Sequence, residues 1–265
     1  MINPILLISA PGETTLGECR TAGFTLIEMA IVLLIITLMV SSALGPLGAQ
    51  IDLRRRAETQ KALDEIKEAL MGYAIANGAL PCPSAVSSSN IPTGFSVSPC
   101  TSSSPTAGYL PWATLGVTRQ DAWGNLFNYS VSPGFINPSA PFTFTSPATP
   151  RTITIQSRDN SGNIINLSNA SDIPAVVFSH GANAYGAMSS DGILRYTPPG
   201  FSTNNPDEST NSTNGTVPTS SPVFFSRTPA PAGTAPTQGG EFDDLVVWIS
   251  PNILFNRMVA AGKLP

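Results

Sequence analysis

The chain has 265 residues, a formal net charge of −4 and only 11% charged residues. So sparsely charged and slightly acidic a chain lacks the clustered Lys and Arg of a nucleic-acid footprint, and no nucleic-acid partner is expected. Its length leaves room for one good core.

Residues 1–23 carry Glu13, Glu18 and a single basic residue, Arg20. Gly23-Phe24-Thr25-Leu26-Ile27-Glu28 then opens an apolar run that reaches Leu44 and contains one acid. A transmembrane helix needs about 20 apolar residues, and a carboxylate inside one costs about 2.5 to 3.5 kcal/mol, so Glu28 needs a partner or a purpose. Gly45, Pro46 and a charged amphipathic stretch follow in that order. The hexapeptide in this setting resembles the signature of the type IV prepilin and type II secretion pseudopilin superfamily, which is cleaved after the glycine.

The resemblance implies an α+β, type IV pilin-like fold. A long N-terminal transmembrane and stalk helix would pack on an antiparallel β-sheet head, with a long disulfide-closed loop between helix and sheet. It divides the chain into a leader (1–23), a helix (24–78, with a membrane span at 24–44 and a stalk at 52–77) and a β-rich head (79–265) with a polar loop at 197–240. Prepilin peptidase would cut after Gly23 and methylate the freed amine of Phe24. Unlike the core of a secretory signal, the apolar segment is retained as anchor. Glu28 would pair with the Phe24 amine of a neighbouring subunit and set assembly register. The implied partners are prepilin peptidase, other pilin or pseudopilin subunits, an inner-membrane assembly platform and membrane lipid. The implied location is a bacterial inner membrane with the head in the periplasm, then a pilus or pseudopilus, and the implied function is that of a minor, non-enzymatic filament subunit. A surface-displayed adhesin or binding module on a membrane anchor is the alternative. Arg54-Arg55-Arg56 lies on the external side against the positive-inside rule, so orientation rests on the motif.

Gly45 and Pro46 predict a kink or local unwinding. From Asp52 to Asn77, Leu63, Ile66, Leu70, Tyr73 and Ala74 recur at helical spacing on one face. Glu58 with Lys61, and Asp64 with Lys67 and Glu68, are expected as solvated pairs on the other. Gly78 supplies the stop.

Residues 79–120 read as an irregular loop broken by Pro81, Pro83, Pro92, Pro99, Pro105 and Pro111. With Cys19 lost in the leader, Cys82 and Cys100 remain to pair in an oxidising periplasm, closing a loop of about 19 residues worth roughly 3 kcal/mol. The segments at 80–83, 108–116 and 121–125 resemble parts of minor pilins, with Trp112 and Trp123 folding the loop back onto the stalk and Asp121 shaping a turn. Strands are expected at 126–131, 142–145, 152–156, 174–179 and 244–249, with hairpin turns at 158–163 and 190–192. The Ser/Thr/Asn/Pro-rich tract 197–240 predicts a mobile or loosely held excursion, and 253–261 an amphipathic terminal helix.

No phosphate loop, dinucleotide fingerprint or His/Cys metal cluster supports an enzyme. Ser179, His180 and Asp243 lack a nucleophile elbow, so the lone His180 reads as structural. No cofactor is expected, with calcium as the open alternative, since major secretion pseudopilins carry such a site. Asp121, Asp159, Asp243 and Asp244 are the available acids. Asp159, Ser161 and Asn163 lack the closing acid of an EF-hand loop and read as a turn. Asp243 and Asp244 read as anchors of the last strand and as weak calcium candidates.

Overall fold

The computed structural model describes residues 23–101, 104–136, 152–169 and 172–264, with backbone alone for 41–47. Residues 1–22 of the leader and the strand expected at 142–145 lie outside the described residues. The chain divides into two compact units, Met1–Ala49 and Gln50–Pro265.

The first unit holds the beginning of helix α1 (Leu26–Asn77), which is helical throughout, Gly45 and Pro46 included. The unwinding expected there is therefore not seen. Every described side chain from Phe24 to Val40 is exposed. Among the described residues no helix is long and apolar enough to cross a membrane. The expected span, 24–44, is thus not confirmed: its side chains are described only as far as Val40, short of the roughly 20 residues a span needs.

In the second unit, residues 50–77 of α1 bury Leu63, Ile66, Leu70, Met71 and Ala74 and leave Tyr73 half-exposed. Its ion pairs differ from expectation. Glu58 pairs with Arg54 rather than Lys61, Glu65 takes Lys61, Asp64 keeps Lys67, and Glu68 is held by Arg257 near the C-terminus. The helix stops at Asn77, and Gly78 takes φ +75°, a left-handed conformation that favours glycine.

After α1 come β1 (Ser84–Val86), β2 (Pro92–Ser96), β3 (Ala107–Tyr109) and a short α2 (Trp112–Leu115), so the predicted irregular loop contains regular pieces. Proline does not forbid this, because Pro92 opens a strand rather than interrupting one. Then follow β4 (Asn128–Val131), β5 (Thr154–Arg158), β6 (Ile164–Asn166), β7 (Ala175–Ser179), α3 (Phe201–Asn204), α4 (Pro206–Thr216), β8 (Val223–Phe225), β9 (Leu245–Trp248) and α5 (Pro251–Ala260).

The main sheet has order β3-β4-β7-β9 and is antiparallel throughout. A second sheet, β6-β5-β8, contains one parallel pair, β5 with β8, which departs from the all-antiparallel expectation. Strand β7 is buried on both faces. Ala175 and Val177 join Leu63, Ile66 and Leu70 of α1 and Leu254, Phe255 and Met258 of α5 in one core. Val176 and Phe178 join Ile153, Ile155, Ile173 and Phe224 in a second. Trp112 packs on the first core, whereas Trp123 does not, although the neighbouring Ala122 N–H donates to Thr59 Oγ1 of α1 at 3.1 Å.

The tract 197–240 is not a loose excursion. It carries α3, α4 and β8, and buries Asn205, Asp207, Glu208, Asn211, Phe224 and Phe225. Its serines, threonines and asparagines misled a compositional reading because tertiary hydrogen bonds, not propensity, hold this helix.

Candidate functional site

At the start of α1, Thr25 and Glu28 bond reciprocally. The Glu28 N–H donates to Thr25 Oγ1 at 3.3 Å, while Glu28 Oε2 accepts from the Thr25 N–H at 3.0 Å and from the Thr25 hydroxyl at 2.9 Å. This is a capping box: it satisfies orphan donors of the first turn and puts a negative charge where the helix dipole favours it. The Thr-x-x-Glu spacing carried that signal, but the apolar setting drew attention to the cost of the charge alone. The bonds hold the Glu28 carboxylate one residue from the Phe24 amine that cleavage after Gly23 would free. Among the described residues, a side chain built on Gly23 would meet no atom within 4 Å, and Phe24 is exposed.

The second cluster lies in the head. Glu208, on the first turn of α4, Asp243 and Asp244 are buried, and one carboxylate oxygen of each lies within 4.8 Å of the others. Glu208 Oε1 accepts the Asp243 N–H at 2.7 Å and both Glu208 oxygens take the Asn183 amide at 3.1 Å. Asp243 Oδ2 accepts the Asn183 N–H at 2.8 Å, and Asp244 Oδ2 accepts from Asn211 Nδ2 at 2.8 Å. Asp243 Oδ1 is buried without a hydrogen-bond partner. Burial, with the Asp243 charge second, pushes the Glu208 carboxyl up to about 8. Burial raises Asp243 as well, and burial together with the Glu208 charge raises Asp244 well above the carboxylate range. Three buried acids this close cannot all be ionised without compensation, so they retain protons or take a cation. These three would be the ligands of any metal bound here. The sequence pointed to Asp243 and Asp244 and missed Glu208, although Pro206 followed by Asp207 and Glu208 is a helix-start signature.

Beside them, Asp207 is fully buried between two guanidiniums. Arg158 Nη2 lies 2.7 Å from its Oδ1 and Arg227 Nε 2.8 Å from its Oδ2. Arg227 also lies over the Phe242 ring at 4.5 Å. This triad, invisible to local patterning, ties α4 to β5 and to Arg227, two residues beyond β8.

The remaining predicted groups are structural. Cys82 and Cys100 form the expected disulfide, with Cα atoms 5.8 Å apart. Asp121 Oδ1 accepts the Trp123 and Asn125 N–H groups at 2.9 Å, and Asp159 Oδ1 accepts those of Ser161 and Asn163 at 2.8 and 2.9 Å, so both acids close turns. Ser179, His180 and Asp243 form no relay. Ser179 donates to Asp121 Oδ2 at 2.6 Å, His180 Nε2 faces Asn128 Oδ1 at 3.2 Å, and burial lowers His180 to about 4.

Residues 19–44 match the family described as the prokaryotic N-terminal methylation motif. Neither a curated protein nor a solved structure matches the chain. The motif implies processing by prepilin peptidase and assembly with other pilin subunits, and with Gly23, Phe24 and Glu28 in place it marks the chain as a type IV prepilin-like protein.

Proposed function

We propose that this chain is a structural, non-enzymatic subunit, a minor pilin or pseudopilin, of a type IV pilus or type II secretion-like filament. It is cut after Gly23, methylated on Phe24, and held in the inner membrane by residues 24–44 with its head in the periplasm until an assembly platform extracts it. The carrying observation is the methylation motif at 19–44 running into a helix whose described side chains from Phe24 to Val40 are all exposed. A helix surface this apolar calls for lipid or neighbouring helices around it.

In this reading Glu28 has two successive partners. In the single subunit it caps its own helix through Thr25, and in the filament it accepts the methylated amine of a neighbouring Phe24, which converts a costly buried charge into a register device. Glu28→Leu should still insert and be cleaved, yet fail to enter filaments purified from cells that express the other subunits. Undiminished incorporation would refute the pairing.

A further inference from the structure

We propose that two copies of this chain pair edge to edge through β6, antiparallel about a two-fold axis at Ile165. The hydrogen-bond register fixes which backbone groups of β6 are spare. In β5, Thr154 and Gln156 turn toward β8: the Thr154 N–H donates to the Pro222 carbonyl at 3.0 Å, and the Gln156 carbonyl accepts the Ser226 N–H at 2.8 Å. Ile155, Ser157 and Asp159 therefore turn toward β6, where Ser157 lies opposite Ile165. The flanking bonds agree, since the Asp159 N–H donates to the Asn163 carbonyl and the Leu167 N–H to the Ile155 carbonyl, both at 2.9 Å. Successive residues turn their backbone groups to opposite sides of a strand, so the N–H and C=O groups of Ile164 and Asn166 point away from β5. Strand β6 is the outer strand in the order β6-β5-β8, and no other strand of that sheet meets them.

Open edges are normally guarded by a lysine, a proline, a bulge or an inward-pointing charge. Strand β6 has none of these. Residues 160–171 contain no charged residue and no proline, and the register with β5 runs without a shift. The edge is aliphatic instead: Ile164, Ile165 and Leu167 are 52%, 42% and 47% exposed. Side chains alternate along a strand and cross-strand partners share a face, which puts Ile165 and Leu167 on the face of the buried Ile155. The apolar face of the sheet thus runs out uncovered at β6.

A second β6 fits this edge in one register. Antiparallel pairing centred on Ile165 sets Ile164 of each copy opposite Asn166 of the other, so every spare N–H and C=O finds its complement. The two Ile165 side chains then meet across the axis in the non-hydrogen-bonded position, where side chains come closest, and Leu167 of each copy extends the same apolar face. Because the tract is uncharged, the two-fold brings no like charges together. Closed two-fold pairing is also the commonest form of self-association. So short an edge buries far less than the roughly 800 Å² per partner of a stable complex, so the pair is weak and forms where copies are crowded. A contact that closes on itself cannot extend a filament; it is additional to subunit stacking and does not depend on it.

The test uses the purified full chain in detergent at about 1 mM, under mild oxidation and read on a non-reducing gel. Cys82 and Cys100 are held in their disulfide, and Cys19→Ser removes the remaining thiol, so cleavage after Gly23 does not decide the result. Ile165→Cys should give a disulfide-linked dimer, because non-hydrogen-bonded partners have Cα atoms about 4.5 Å apart, within the span of a disulfide. Ile164→Cys, whose two-fold mates would lie about 8 Å apart, should link no more than Leu194→Cys, an exposed control on another segment. Adding Asn166→Pro to Ile165→Cys should cut the dimer about tenfold and leave the melting temperature in place, since the Asn166 N–H makes no bond to β5. Absence of the Ile165→Cys dimer, or equal linkage at positions 164, 165 and 194, would overturn the proposal. So would a dimer that Asn166→Pro leaves undiminished, and the contrast between positions 164 and 165 decides the matter without the proline variant.

Discussion

The acid cluster makes an unusual prediction about stability and pH. Glu208 titrates near 4.5 in an unfolded chain and near 8 in the fold, so between those values the folded state holds one more proton. Its contribution is complete below pH 4.5 and is lost as the pH rises toward 8. His180 runs the other way: at about 6.5 unfolded and about 4 folded, it favours the fold above pH 6.5 and loses that contribution as the pH falls toward 4. The two slopes oppose each other from about pH 4.5 to 6.5. Above 6.5 only Glu208 remains, reinforced by the raised Asp243 and Asp244, with Glu241 and Arg227 the other charges facing it. One proton at about 1.4 kcal/mol per pH unit then removes about 2 kcal/mol between pH 6.5 and 8. Urea unfolding across that range reads it directly, and Glu208→Gln, which fixes the neutral form, should flatten the slope. Wild-type stability that rises from pH 6.5 to 8 would refute the reasoning. If calcium rather than protons compensates the cluster, adding calcium at pH 8 should restore the loss by mass action, while leaving the Gln variant unaffected.

Asp207→Ala strands Arg158 and Arg227 in a buried site, and should cost about 3–5 kcal/mol in urea unfolding. An effect within 0.5 kcal/mol would show that α4 is held by other contacts. Replacing Cys82 and Cys100 by Ser should cost about 3 kcal/mol, because the bridge closes a loop of 18 residues' separation, and should abolish the mobility shift on reduction.

Where side chains alternate between two cores the fold was legible. Ala175 through Phe178 is an unbroken apolar run because both faces of β7 are covered, and Leu63, Ile66 and Leu70 disclose the buried face of α1 by spacing alone. What escaped is held by groups distant in sequence. Helix α4 reads as a polar loop because its stabilising bonds run sideways: Asn211 brackets the Phe225 backbone, accepting its N–H at 2.7 Å and donating to its carbonyl at 3.0 Å, and Asp207 meets arginines from other elements. The same distance hid Glu208 from the two acids it joins, whereas Gly23, Phe24 and Glu28 were legible because their chemistry is local.

The most direct measurement is mass spectrometry of the N-terminal peptide from membranes of cells that contain a prepilin peptidase. A peptide beginning with N-methylated Phe24 is the expected result. An intact leader, or a terminus other than Phe24, would contradict the assignment of this chain to the filament pathway.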